Sequence, residues 1–97
     1  MIEAGTIVTR IEGLMSAAVD DDLVVLSLRS DSYLAIDRIG RRIWELLESP
    51  WQFDDLVVLL AEEFRADPAV VAADVSTFLD ELEAEGMVNV TSPRAAR

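Results

Sequence analysis

Apolar and polar positions along this chain change period part-way, and the change marks out its elements. Leu14–Val19 and residues 23–28 are short apolar runs, the second rich in β-branched residues, set on either side of the polar triplet Asp20-Asp21-Asp22. Apolar runs bounded by turn residues read as the strands of a hairpin. The cluster Ser30-Asp31-Ser32 then turns the chain into a third short strand, Tyr33-Leu34-Ala35-Ile36. Beyond it the period lengthens. Ile39, Ile43, Trp44, Leu46 and Leu47 recur at near-helical spacing and predict a helix over residues 38–48. Asp37 caps it, because a carboxylate there can accept from the free N–H groups of the first turn. Pro50 closes it, because proline disfavours helical geometry in the residue before it. A second helix is predicted over Phe53–Phe64, with Phe53, Leu56, Val57, Leu60 and Phe64 on one side. Asp54 and Asp55 stand in its first turn, where the helix dipole favours acids, but only Gln52 fills the cap slot. Asp67-Pro68 opens a third helix with a cap followed by proline at the first helical position. That helix runs to about Glu85, carries the stripe Val71, Val75, Phe78, Leu79 and Leu82, and is ended by Gly86. Residues 6–9 and 87–90 read as short extended pieces.

The order is thus three strands followed by three helices, the last two helices joined by Arg65-Ala66-Asp67 in a helix-turn-helix arrangement. An antiparallel sheet needs one face covered, and amphipathic helices supply the cover. The expected fold is α+β, winged helix-turn-helix-like, with a three-stranded antiparallel sheet followed by three helices. Its expected limits are an N-terminal extension over residues 1–13, one folded domain over 14–90 and a flexible tail over 91–97. A strand that comes last in a meander lies at a sheet edge with one row of backbone groups unpaired. Such an edge is either covered by the protein's own chain or open to a peptide.

Composition narrows the chemistry. The 97 residues are 52% apolar, enough for a single core without staples. The absence of Cys and His excludes disulfides, thiolate chemistry, imidazole bases and the usual zinc sites. With no lysine either, the common nucleophile-and-base sets are unavailable, so the expectation is a non-catalytic protein with no cofactor. Nineteen acids against eight arginines give a net charge of −11, the wrong sign for phosphate neutralisation. The third helix, where a winged-helix DNA binder would carry its cations, has none between Asp67 and Gly86. The triplet Asp20-Asp21-Asp22 lacks the spaced ligands and bend glycine of a calcium loop and reads as a solvated turn. Arg38, Arg41 and Arg42 could gather an anion, but beside Asp37, Glu45 and Glu48 they read first as local ion pairs. No apolar run approaches the roughly 20 residues of a membrane span. The opening residues lack the apolar core of a signal peptide, so the expected compartment is the cytoplasm, with neither membrane nor nucleic acid as partner.

The succession LSLRSDSYLAIDRIGRRIWELL, then QFDDLVVLLAEEF, then a helix ending LDELEAEGMV, resembles the PqqD family of peptide recognition domains. The features that carry the likeness are Tyr33 and Ile36 before the Asp37 cap, Gly40, Ile43-Trp44 and Leu47, and the closing Leu82, Gly86, Met87 and Val88. It spans about residues 14–90 and is nearest in pattern to the free-standing form found in lasso-peptide pathways. Asp37 stands where many relatives have Asn, and Gln52 where Thr is usual. The resemblance implies a module that binds the leader of a ribosomally made precursor peptide as an added strand against the third strand. Carried over by position, the strand side of the site is Tyr33, Leu34, Ala35 and Ile36, and the helix side is Val71, Asp74, Val75 and Phe78. Asp74, an acid among apolar neighbours, would meet a polar or cationic group of the leader; as a plain flank residue it would meet only water. The apolar helix positions fit a core stripe as well as a groove wall. Implied partners are the leader peptide and a maturation protease, with a cyclase as a further candidate. A chaperone serving a radical-SAM peptide modifier is the alternative, and the expected state is a monomer or a weak dimer paired through Ser32–Ile36.

Overall fold

A computed structural model describes residues 2–3, 5–29 and 31–92. The chain lays down β1 (Ile7–Arg10), β2 (Leu14–Val19), β3 (Asp22–Ser27) and β4 (Ser32–Ile36), then α1 (Arg38–Leu46), β5 (Trp51–Gln52), α2 (Phe53–Phe64), α3 (Pro68–Ala84) and β6 (Val88–Thr91). The expected three-stranded meander forms, in the order β2-β3-β4 and antiparallel throughout. Its register decides which members of these apolar runs reach the core. Leu23, Val25 and Ser27 of β3 and Ile36 of β4 turn inward and are buried, while the residues between them face outward.

Each helix starts for a visible reason. The Asp37 carboxylate accepts from the Gly40 N–H at 2.8 Å, and the Asp67 carboxylate from the Ala69 N–H at 2.8 Å. Gln52 makes no side-chain cap, as its identity suggested. The N-terminal segment takes its place: the Phe53 N–H donates to the Thr6 carbonyl at 2.8 Å, and Asp54 accepts from the Gly5 N–H at 2.8 Å. At the far end of α3, Gly86 takes φ 72°, a left-handed turn that any side chain would strain, and directs Met87 and Val88 into the core.

A second sheet, in the order β5-β1-β6, was not foreseen. It joins residues from the beginning, middle and end of the sequence, with Val8 opposite both Trp51 and Val90. Residues 1–13 therefore supply the central strand of a sheet, and Val8 is fully buried. Thr91 closes β6, and residues 93–97 of the expected tail lie outside the described part. The core gathers both sheets and all three helices around Val25, Ile36, Leu47, Leu56, Leu60, Leu79, Leu82 and Met87.

Candidate functional site

The site is built where β4, α1 and α3 converge. β4 ends the β2-β3-β4 sheet, so one side of its backbone has no strand partner among the described residues. α3 lies alongside that strand. At one end the Ser32 hydroxyl donates to the Glu85 carbonyl over a long 3.3 Å, and at the other Ile36 meets Phe78 beneath Gly40. A Cβ at Gly40 would stand 2.5 Å from Ile36 Cγ2 and 3.1 Å from the Phe78 ring, so the bare backbone is what lets α1 settle onto this junction. The other edge, β2, is exposed along nearly all its length.

Past Ile36 the groove deepens into a cavity of 370 Å³ lined mainly by apolar side chains. α3 contributes Val71, Asp74, Val75 and Phe78, the four helix positions named from the sequence. α1 adds Ile39, Gly40 and Ile43, and the end of α2 adds Leu60 and Phe64. The spacing 71, 74, 75, 78 puts these side chains on one face of α3 over two turns. Their depths differ. Val75, 3% exposed, is core and cavity floor at once, whereas Val71 and Phe78 are half-buried walls and Asp74 is exposed.

The strand residues lie differently. Ile36, 2% exposed, belongs to the core under Gly40; Leu34 is half-buried on the same face. Tyr33 and Ala35 point to the opposite, outer face of the sheet, where Tyr33 is 71% exposed. None of the four lines the cavity itself; what β4 offers is its open backbone edge. Sequence reading assigned Ile39 and Phe64 to buried helix faces. They are 61% and 46% exposed and stand over the cavity as large apolar groups in water. Their positions at the first turn of α1 and the last turn of α2, facing a gap rather than a partner, are not encoded in periodicity.

Charge at the site is sparse. Two carboxylates stand in the cavity lining, Asp37, already engaged as a helix cap, and Asp74, which has no hydrogen-bond or ion-pair partner among the described residues. The close ion pair that an arginine of α1 makes among the described residues does not run along its own helix as expected. Arg42 instead reaches Glu63 of α2 in a two-pronged contact at 2.8 Å, its hydrogen bond holding the Glu63 carboxyl below its ordinary range. Arg10 stacks 4.3 Å over the Trp44 ring and donates to the Trp44 carbonyl, and burial lowers its pKa. Among the described residues no group of His, Cys, Asp or Glu is arranged to hold a metal.

An α+β domain of winged-helix type, with an open strand edge running beside a helix and an apolar cavity at its end, has the form of a peptide-receiving module. The sequence matches the family described as "Coenzyme PQQ synthesis protein D (PqqD)" over residues 22–88. The chain belongs to the PqqD family. The fold is similar to that of TbiB1 in complex with the TbiA(beta) leader peptide, with a TM-score of 0.74 and 30% identity over 84% of this chain and 94% of that one. It is also similar to a lasso peptide synthetase B1 complexed with the leader peptide, with a TM-score of 0.72 over 84% of this chain and 96% of that one; at 20% identity the likeness concerns the fold alone. No curated protein matches the sequence.

Proposed function

We propose that this protein binds the leader segment of a ribosomally made precursor peptide, of the lasso class, and presents it to a maturation protease without doing chemistry itself. The observation that carries the reading is the open edge of β4 on the side of α3, with a 370 Å³ apolar cavity beyond it walled by α1, α3 and the end of α2. Backbone hydrogen bonds along Ser32–Ile36 would hold the peptide as a fourth strand, and every second side chain would turn toward α3. Val71, Val75 and Phe78 offer an apolar seat, and Asp74 at the rim favours a cationic or hydrogen-bonding group in the leader. The membership of the family and the leader complexes of its structural relatives support this assignment. The same reading places the protein in the cytoplasm, where precursor peptides are made; among the described residues no helix is long and apolar enough to cross a membrane.

The test is fluorescence polarisation with a labelled leader peptide from the neighbouring precursor gene. Val71→Asp and Phe78→Ala should each weaken binding about tenfold or more, since each removes a central apolar contact. Leader peptides N-methylated at alternate positions should divide into two phases, one that binds and one that does not, as strand addition uses every second backbone amide. Equal binding by both phases, or indifference to both substitutions in folded protein, would move the site elsewhere.

A further inference from the structure

The apolar cavity past Ile36 opens onto a second hollow. Ile39 and Phe64, which stand over the first as exposed apolar groups, also line a depression of 550 Å³. The two side chains therefore form a ridge that both hollows share. Beyond the ridge the lining changes character: Arg38, Arg41 and Arg42 of α1 replace the apolar side chains, opposite Asp20 and Asp21 of the β2–β3 turn. Three of the chain's eight arginines stand together here, within five residues of one helix.

These charges are not equally engaged. Arg42 is held by Glu63 in the two-pronged contact. Arg38 and Arg41 have no hydrogen-bond or ion-pair partner among the described residues, although Asp20, Asp21 and Glu45 also line the hollow. Those three carboxylates are exposed, so water and salt screen them from the arginines. A guanidinium presents a planar fork of donors that matches a carboxylate. In a chain of net charge −11 the overall field repels an acidic ligand, and two unpaired guanidiniums beside the peptide groove are a local exception. Position decides the occupant. Asp37, Ile39 and Gly40, which follow β4 directly, line the first cavity, so a peptide leaving the Ile36 end of the strand edge runs into it and on to the ridge.

We propose that the arginine hollow is a second subsite for the same leader peptide. The segment that continues past the Ile36 end of β4 crosses the Ile39–Phe64 ridge and places an acidic side chain between Arg38 and Arg41. The strand edge reads backbone and the first cavity reads apolar side chains; this subsite reads charge at a set distance from the strand-forming stretch. An exposed ion pair adds little affinity, so its use is discrimination, since a basic residue at the same place would meet two cations. The subsite rests on the proposed leader-binding function.

The experiment is fluorescence polarisation with the labelled leader of the neighbouring precursor gene and the full chain carrying Arg38→Gln, Arg41→Gln or both. Arg29→Gln, at an exposed arginine in the turn between β3 and β4, removes the same unit of charge and is the control. Each protein is also measured against leaders in which one acid outside the strand-forming stretch is replaced by its amide. The double variant should lose about fivefold in affinity, the size of an exposed ion pair. One of the amide replacements should lose as much, and the two losses should not add. The effect of that replacement should be unchanged in Arg29→Gln and should fade in about 0.5 M salt. Equal binding by wild type and double variant, a loss additive with every amide replacement, or an equal loss in Arg29→Gln would overturn the proposal. A leader with no acid outside the strand-forming stretch would do the same. If the wild type binds no leader, the functional reading falls and the subsite with it. Binding that depends on Val71 and Phe78 but not on Arg38 and Arg41 removes the subsite alone.

Discussion

Gly40 is the position at which one methyl group would be felt in three elements. The hydrogen atom it carries instead of a Cβ faces Ile36 Cγ2, a fully packed core atom, and the ring of Phe78. Neither neighbour is the loose end of a flexible chain. Gly40→Ala should therefore cost about 1–3 kcal/mol by overpacking, despite alanine's better helix propensity. Urea denaturation measures it, and a stabilised variant would mean that α1 can lift without loss. Asp37, three residues earlier, gives a contrasting case. Its carboxylate caps the Gly40 N–H, so Asp37→Ala should lose about 1 kcal/mol while Asp37→Asn stays within a few tenths, asparagine being an equal cap. A large loss in the Asn variant would show that the charge, not the cap, is what matters there.

At the scale of elements, much was legible from local signals and the remainder was not, for a physical reason. The apolar runs of β2, β3 and β4, the caps Asp37 and Asp67 and the stop at Gly86 are each decided within a few residues of sequence, while the helix wall of the groove came from the family resemblance, helical spacing adding only that its four residues share a face. The pairing of β1 with β5 and β6 is decided by partners far apart in the chain, and β5 is only two residues long, so no periodicity announces it. Periodicity also shows which residues share a face but not whether that face is closed. Val75 and Ile39 look alike in the sequence, yet one is 3% exposed and the other 61%. The second sheet makes residues 1–13 part of the fold's support, since Val8 fills the core, the Thr6 carbonyl accepts from the first N–H of α2 and the Gly5 N–H holds Asp54. Deleting residues 1–13 should abolish cooperative unfolding, as followed by circular dichroism, and with it leader binding; a truncated chain that melts as sharply as the full one would refute that role.

Taken whole, the molecule is built to be indifferent to pH near neutrality. It has no His and no Cys; hydrogen bonding between Arg42 and Glu63 moves both of those groups away from neutral pH, and burial lowers Arg10 from a starting point far above it. Glu63 is held below the ordinary carboxylate range chiefly by its hydrogen bond from Arg42. Its contribution to stability is accordingly complete above that range and lost only as pH falls through the depressed value. Both partners stand in water, so the loss is small. Stability and leader affinity should stay level between about pH 6 and 9, with no histidine to titrate in that window. A transition centred near pH 7 in either quantity would contradict this, since no side chain of the sequence ordinarily titrates there. The net charge of −11 adds a second expectation: moderate salt should raise the melting temperature by screening self-repulsion.

Ile7 and Thr91 face each other across β1 and β6. As the chain is synthesised, β1 leaves the ribosome well before the β6 strand that pairs with it. The meander and α1 close over short separations and can form while the rest is still in the tunnel, whereas the β1–β6 pairing must close a loop spanning nearly the whole domain. Until it does, β1 lacks the strand on its other side and the outer face of the meander is already out in solution. The nascent protein thus passes through a stage with that face presented and its stabilising clasp unmade. Folding yield should therefore depend on how soon translation delivers β6.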